Sequence, residues 1–386
     1  MESILYLTDG CNMECSYCYE GNTKKPKFMN METLKNALGF IVSNRKSDDE
    51  TVSLVFLGGE PLLNKEILVR AMDLIDENYE RIKKYFQYSI TTNATMLDDE
   101  ILNLFLKYNF TISVSVDGDE ETHNINRKSK DGSNIYPVVY RNLLKMLQKK
   151  MVFNVRMTVT SNNVHFFMHN IKYFTEMGIS RIYAAFDSFS EWDDKSLSVL
   201  DEQLGLIDEY YLNEIEPKRN YILNFYDLKF PTFIAKREAK YCSAGSRSHI
   251  TITSQGEVYP CGYVANREDQ KWILGNLKEG VDFTKFFPLV KENLSEISKC
   301  KDCEIQFTCK GAKCSFQNYM ETGFLNRPLD TICRMERILY KHDCYVIREL
   351  YKKSSPRLLE NIELAKNYNI EFSNIMLGIM DLARLK

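Results

Sequence analysis

The chain has 386 residues, with 50 lysine and arginine against 53 aspartate and glutamate side chains and a formal net charge of −3. Charges so nearly balanced give no extended field of one sign, so nucleic acid is excluded as a default partner. No apolar run reaches the roughly 18–20 residues needed to span a bilayer, which excludes a membrane-spanning helix. The first ten residues carry an acid and no basic stretch, so no secretory signal is read. Cysteine is the unusual count: eleven, an odd number, in a chain without an export signal. That usage points to thiolate ligands in a reducing, cytoplasmic setting rather than to a disulfide framework.

Taken in chain order, β-branched and aromatic runs predict strands at Ile4–Leu7, Val52–Leu57, Phe86–Thr91, Thr111–Val116, Asn154–Val159 and Ile182–Phe186. Helical periodicity fills the intervals at 31–46, 64–84, 98–108, 137–150 and 164–177, with a further helix at 196–214. Strands alternating with helices read as βα units around a parallel sheet. Six such units fall short of the eight of a full barrel, so the expected class is α/β with a partial (β/α)6 TIM-type barrel. From Tyr241 the alternation stops and cysteines become dense. Ile250–Thr253 and Glu257–Tyr259 flank Ser-Gln-Gly as a hairpin. Amphipathic helices are expected at 331–352 and 356–367, and a Met/Leu-rich helix at 373–386.

Directly after the first strand, Cys11, Cys15 and Cys18 stand as C-x3-C-x2-C. Three thiolates on one short loop suit three corners of a cubane [4Fe–4S] cluster and leave its fourth iron open. A structural zinc wants four ligands, and none of the five histidines is close in sequence.

This loop resembles that of the radical S-adenosylmethionine (radical SAM) enzymes. Four further segments match the family in order, the first three at the C-terminal ends of predicted strands, the face where parallel barrels carry their active sites. Gly58-Gly59-Glu60-Pro61 matches the GGEP motif, which in the family contacts the methionyl amino group of SAM. Thr91-Thr92-Asn93 resembles the T-N-G segment, with Ala94 in place of glycine. Ser115, Asp117, Gly118, His123 and Arg127 resemble an S-x-D-G…H-x-x-x-R stretch of the peptide-modifying subgroup, in which the serine and arginine contact SAM. Arg156, on the fifth strand, also fits the pattern. The resemblance thus assigns cofactor binding to Gly58, Gly59, Glu60, Pro61, Asn93, Ser115, Asp117, Arg127 and Arg156. Taken singly, these residues have plainer readings: a turn, a helix-capping acid, a solvated arginine.

The later cysteines read Cys242, then thirteen residues, Gly256, four residues and Cys261, followed by Cys300-x2-Cys303-x5-Cys309-x4-Cys314 and finally Cys333. This resembles the SPASM domain, a seven-cysteine extension of radical SAM enzymes that carries two auxiliary [4Fe–4S] clusters. The resemblance places Cys242, Cys261 and Cys314 on an inner cluster, and Cys300, Cys303, Cys309 and Cys333 on an outer one. The x4 spacing before Cys314 departs from the family's x3. The cysteine that some members carry shortly after the first is absent, so the inner cluster is one thiolate short. Its fourth position is open to a substrate thiolate, to water, or to another residue such as Cys344. A zinc reading of Cys300–Cys314 stands beside the iron one, because C-x2-C pairs suit both metals.

The resemblance implies a radical SAM partial barrel over 1–195, a bridging region over 196–240, a SPASM domain over 241–345 and C-terminal helices over 346–386. It implies three [4Fe–4S] clusters and SAM as cofactors, and a 5′-deoxyadenosyl radical that abstracts hydrogen from a peptide. The expected product is a cross-link, a Cys thioether in a ribosomally made precursor peptide, as in sactipeptide and ranthipeptide maturases. Formylglycine formation, as in anaerobic sulfatase-maturating enzymes, and carbon–carbon cross-linking are the alternatives within the class. A non-catalytic Fe–S electron carrier or redox sensor is the alternative outside it, and it would have no use for the SAM-contact motifs. Expected partners are the precursor peptide and a reductant such as flavodoxin or ferredoxin; with only ten residues before Cys11, the leader is expected to bind the barrel, the bridging region at 196–240 or a separate leader-binding protein. Asp187, at the end of the sixth strand, is the candidate substrate contact or base; its plainer reading is a capping acid. His165 and His169, four residues apart on a predicted helix, lack the Glu of a zinc-protease motif and read as structural.

Overall fold

The computed structural model describes residues 1–21, 26–235, 244–265, 267, 270–296 and 299–360. In chain order the elements are β1 (Glu2–Thr8), α1 (Met31–Ser43), β2 (Val52–Gly58), α2 (Lys65–Asn78), β3 (Phe86–Thr92), α3 (Asp99–Lys107), β4 (Thr111–Ser115), α4 (Glu120–Asn126), α5 (Tyr136–Gln148), β5 (Phe153–Val159), α6 (Phe167–Glu176), β6 (Arg181–Phe186) and α7 (Asp194–Tyr210). There follow β7 (Ile222–Leu223), α8 (Asn224–Asp227), α9 (Phe230–Ala235), β8 (His249–Ile252), β9 (Glu257–Tyr259), β10 (Gly275–Asn276), β11 (Gly280–Val281), α10 (Phe286–Glu292), α11 (Lys310–Lys313), α12 (Ser315–Thr322) and α13 (Asp330–Lys352). Each of the six strands expected from the first half is present, in the alternating α/β order read from the sequence. The helix expected at 64–84 is shorter, because α2 ends at Asn78 and a single 3-10 turn, Lys83–Tyr85, leads into β3. The end of the bridging region at 236–240, Cys242, residues 361–367 of one predicted helix and the whole of 373–386 lie outside the described residues.

The chain forms two compact units, both discontinuous. The first comprises Met1–Val116, Asn126–Phe153 and Ser243–Asn293. Its strands β1, β2, β3 and β4 pair in parallel in that order. Five of the seven residues of β1 are buried, four of them consecutively, as expected for a strand covered on both faces. Leu34, Leu38 and Ile41 of α1 and Leu68, Met72 and Ile75 of α2 are fully buried, at helical spacing. Side-chain caps start α1 and α3: Asn30 Oδ1 accepts from Thr33 N at 2.9 Å, and Asp98 Oδ1 from Ile101 N at 2.9 Å.

The expected hairpin is β8–β9, closed through Gly256 in a left-handed conformation (φ 80°). It continues the sheet of this unit. β8 lies parallel to β1, with Glu2 opposite His249 and Leu5 opposite Ile252, and β9 carries β10 and β11 antiparallel at the edge.

The second unit comprises Asp117–Ile125, Asn154–Cys242 and Leu294–Lys386. It holds β5, β6 and β7 in parallel. Val155, Met157, Val159, Ile182, Phe167, Ile171, Phe174, Leu200, Leu204 and Ile207 form its core. Asp193 caps α7 through Ser196 N at 2.7 Å.

Candidate cluster sites and S-adenosylmethionine site

The loop after β1 is tied down on both sides. Gly10 N donates to Thr8 Oγ1 at 3.0 Å, Glu14 N to Lys128 O at 2.7 Å and Ser16 N to Asn126 O at 2.9 Å. Cys11, Cys15 and Cys18 are all partly buried, and burial raises the thiol pKa of Cys11 and Cys18. Donors point at the sulfurs: Met13 N lies 3.4 Å from Cys11 Sγ, Asn93 Nδ2 3.9 Å from Cys11 Sγ and an Arg127 guanidinium nitrogen 3.9 Å from Cys15 Sγ. The Arg127 guanidinium also lies over the Tyr17 ring, 5.2 Å from its centroid. Donors around sulfur favour thiolate, the form that binds iron.

Close backbone approach explains the paired glycines after β2. A Cβ on Gly58 would come within 2.0 Å of Thr8 O, and one on Gly59 within 2.3 Å of Gly10 O and 2.9 Å of Cys11 N. Gly59 N donates to Thr8 O at 3.1 Å and Glu60 N to Gly10 O at 2.8 Å, which fixes the cysteine loop against the end of β2.

The Glu60 side chain turns the other way. Its Oε1 accepts from Thr92 Oγ1 at 2.8 Å and from Leu62 N at 3.1 Å, and its Oε2 from Asn93 N at 2.7 Å. Its carboxylate thus holds the end of β3 and presents Asn93. Burial pushes its pKa up to about 7, against the opposing effect of these donors. Asn93 Nδ2 then donates to Asn12 Oδ1 at 2.9 Å. Ala94, which stands where the family has glycine, does adopt a left-handed conformation (φ 60°). It is held there by Ala94 N to Thr92 Oγ1 at 3.0 Å and by Asn142 Nδ2 donating to Ala94 O at 2.7 Å.

Ser115 ends β4 and is half-buried. Pro61, buried, opens a single 3-10 turn. In the second unit, Asp117 is fully buried and its Oδ1 accepts from Thr158 N at 2.9 Å, so this carboxylate holds β5. Arg156 occupies the exposed position of β5 between the buried Val155 and Met157. Asp187 forms a turn after β6: its Oδ1 accepts from Phe189 N at 3.1 Å and its carbonyl from Trp192 Nε1 at 2.7 Å. His169 Nε2 lies 2.7 Å from Asp119 Oδ2, and the His165 ring packs on Phe166.

Cys300, Cys303, Cys309 and Cys333 come together in the second unit. Cys300 and Cys309 are buried with Ile305 and Ala312, and Cys303 packs against them. Burial raises the thiol pKa of Cys300 and carries that of Cys309 up to about 12, and the charge of Cys333, on α13, adds to both shifts. Thiols gathered in this way suit a shared polynuclear centre, which takes the thiolate charge. An Arg337 guanidinium nitrogen lies 3.8 Å from Cys303 Sγ. Among the described residues no three Cys, His, Asp or Glu side chains converge as on a single metal ion. A cubane, with one thiolate on each iron, takes a wider set. Cys314, also in the second unit, sits between α11 and α12, its N donating to Lys310 O at 2.9 Å.

Cys261 follows β9 in the first unit, and its neighbourhood includes residues that sequence reasoning missed. A Cβ on Gly262 would lie 2.6 Å from the Tyr6 hydroxyl, and that hydroxyl donates to Glu20 Oε1 at 2.8 Å. Tyr19 packs on Tyr263 with centroids 4.9 Å apart, and Arg267 donates to Tyr19 O at 2.7 Å. The segment that carries Cys18 and the segment that carries Cys261 therefore meet through a buried tyrosine–glutamate pair. Nothing in the local sequence of Tyr6 or Glu20 signals this, since it depends on β8 pairing with β1.

The family models match this arrangement: the radical SAM superfamily over residues 5–177 and the SPASM iron–sulfur cluster-binding domain over 242–304. The chain carries a radical SAM domain followed by a SPASM domain. These domains bind SAM and iron–sulfur clusters, and the donor-lined cysteine loop, the glycine cradle and the four-thiol group fit such cofactors. A cysteine-type anaerobic sulfatase-maturating enzyme of Clostridium perfringens is 27% identical over 325 residues, which cover 79% of this chain and 86% of that protein. The solved structure of anSMEcpe with bound AdoMet aligns over 98% of both chains with a TM-score of 0.72 at 22% identity. Streptococcus suis SuiB bound to its precursor peptide SuiA aligns over 86% of this chain and 75% of its own, with a TM-score of 0.59 at 17% identity. Among the described residues no helix is long and apolar enough to cross a membrane.

Proposed function

We propose that this radical SAM protein forms a Cys thioether cross-link in a peptide: the 5′-deoxyadenosyl radical would take a hydrogen atom from a peptide carbon, that carbon would join a cysteine sulfur whose proton leaves to solvent, and the electron released on bond closure would pass to an auxiliary cluster. Cys11, Cys15 and Cys18 would hold the first cluster, with Gly58, Gly59, Pro61, Asn93, Ser115 and Arg127 around SAM. Glu60 and Asp117 would act there by fixing the backbone of β3 and β5, and Arg156 from its exposed place on β5. When bound, that cluster and SAM supply a 5′-deoxyadenosyl radical. The protein's part is to hold the substrate carbon in reach of it and to exclude water and stray side chains. Cys300, Cys303, Cys309 and Cys333 would hold an outer auxiliary cluster, and Cys242, Cys261 and Cys314 an inner one, making three in all.

The observation that carries the thioether reading is the place of the eleventh cysteine. Cys344 is buried on α13, hydrogen-bonded with Tyr340, and its thiol is pushed up to about 11 by burial. That thiol is already engaged with Tyr340, one turn away on the same helix. The inner set then keeps three thiolates and an iron position whose soft character suits a substrate sulfur. In that case the substrate would be a precursor peptide and the electron donor a flavodoxin or ferredoxin, in the cytoplasm, with a separate protein holding any leader.

Likeness along the chain to sulfatase-maturating enzymes favours a second reading, formylglycine formation. Incubating reduced, reconstituted protein with SAM and the peptides encoded beside its gene tests both. A thioether product keeps its sulfur and loses two hydrogens by mass spectrometry, whereas formylglycine made from cysteine loses the sulfur. Intact clusters that yield no 5′-deoxyadenosine would sink both readings. Iron content checks the clusters themselves: about twelve irons per chain are expected for three cubanes.

A further inference from the structure

A group of polar side chains that no motif marks lies in the second unit, where the end of β6 meets α12. Asp187 and Ser188 are 8% and 7% exposed, and Gln317, on α12, is 2% exposed. Gln317 Nε2 donates to Ser188 Oγ and, at 3.4 Å, to Glu321 Oε1. Ser188 also hydrogen-bonds the Glu321 carboxyl. Burial raises the pKa of that carboxyl, and the nearby Asp187 charge adds to the shift.

Two acceptors of this group are buried without a partner: Gln317 Oε1 and Glu321 Oε2. A buried acceptor left unpaired destabilises the fold, and apolar side chains at the two positions would avoid that penalty. The donors of the group are spent within it, on Ser188 and Glu321, and what it has left over is acceptors. Such a surplus is complementary to an N–H group. The location fits ligand binding, since parallel α/β sheets gather their ligand-contacting residues beyond the C-terminal ends of the strands.

We infer that Gln317 and Glu321, backed by Ser188 and Asp187, form an acceptor subsite that receives one N–H group of the peptide substrate and so sets which residue is presented for reaction. The inference rests on the peptide-substrate reading above. The N–H can belong to a backbone amide or to a lysine or arginine side chain, and the two sources are separable.

A random library of cysteine-containing peptides in mRNA display is selected on the cluster-reconstituted full chain with SAM present. Enriched sequences are synthesised, and their affinities for wild type and Gln317→Leu are measured by fluorescence anisotropy. Each peptide is tested as the parent, with single backbone N-methylations, and with each lysine or arginine replaced by norleucine. Loss of one hydrogen bond of about 1.4 kcal/mol weakens binding about tenfold. Gln317→Leu is expected to weaken the parent by that factor. One modified peptide should lose as much against wild type and lose nothing further against the variant, the signature of a direct pair. Coupling at an N-methylated position identifies a backbone amide, and coupling at norleucine a side chain. Losses that multiply at every position overturn the inference, leaving Gln317 to hold α12 to β6 and no more. If circular dichroism shows Gln317→Leu unfolded, Glu321→Gln is carried through the same cycle. A library from which nothing is enriched overturns the peptide-substrate reading itself, and the subsite with it, a result distinct from multiplying losses.

Discussion

Gly59→Ala is the sharpest perturbation the first site offers, because it adds one methyl group and changes no charge. The added Cβ would stand 2.3 Å from Gly10 O and 2.5 Å from Gly10 C, whereas real Cβ contacts essentially never fall below 3.0 Å, so the backbone must separate by at least the 0.7 Å difference. Both neighbours are main-chain atoms, so no side-chain rotation relieves the clash. The separation opens the 2.8 Å bond from Glu60 N to Gly10 O and moves Cys11, the next residue. Overpacking of this kind costs about 1–3 kcal/mol, and a displacement of about 1 Å at a reacting centre costs on the order of a hundredfold in rate. The expected outcome is a melting temperature lower by several degrees, a shortfall of about four irons per chain if the loop no longer binds its cluster, and 5′-deoxyadenosine formation reduced about a hundredfold. Thermal scans, iron analysis and chromatography of the SAM products measure the three. A variant with wild-type iron and SAM cleavage within about twofold would refute the idea that this close approach seats the loop.

Glu60→Gln isolates a pH effect in apo-protein. The folded-state pKa of Glu60, near 7, lies above its ordinary 4.5, so the folded chain keeps a proton that the unfolded chain releases. Its contribution is full below pH 4.5 and is lost as pH rises to 7, a difference of about 3 kcal/mol at 1.36 kcal/mol per pH unit. Wild type is expected to lose stability over that window relative to the variant in urea titrations, and parallel pH curves would contradict this. Arg127→Ala removes the guanidinium beside Cys15 and over Tyr17 and is expected to weaken SAM binding about tenfold by calorimetry; unchanged affinity removes Arg127 from the site. Cys333→Ala is expected to lower iron content by about four per chain, one cubane, whereas Cys344→Ala leaves it unchanged; the reverse pattern would reassign the two.

The parts of this molecule legible in the sequence are those whose physics is local. Strands β1–β6 announce themselves through β-branched and aromatic runs, and caps such as Asn30 and Asp98 mark helix starts. The cysteine spacings are readable because a loop of fixed length presents its thiols together. Glu60 shows where such reading thins out. The motif identifies it, yet its carboxylate spends both oxygens on Thr92, Leu62 N and Asn93 N, so the fold has it hold β3 and present Asn93. Asp117 behaves alike, its carboxylate holding Thr158 N. No spacing rule separates a carboxylate that touches a ligand from one that fixes the residue beside it, because the difference lies in partners brought in by other strands.

The strongest long-range effect is the parallel pairing of β8 with β1. In sequence, the Ile250–Thr253 hairpin follows the break in βα alternation and reads as the start of a separate cysteine-rich module. A parallel partner 247 positions away from Glu2 at His249 leaves no local trace, since either strand would look the same if paired with anything else. Once made, that pairing determines what Cys261 faces. β9 returns antiparallel to β8, the chain leaves it at Tyr259, and Gly262 arrives against the Tyr6 hydroxyl, whose other partner is Glu20. Glycine at 262 is then required by the Tyr6 oxygen and not by a turn, because a Cβ there would overlap it at 2.6 Å. A shift of one register in β8 would also turn its buried Ile250 and Ile252 away from the core. Hydrophobic burial in β8 thus helps hold the loops of Cys18 and Cys261 side by side.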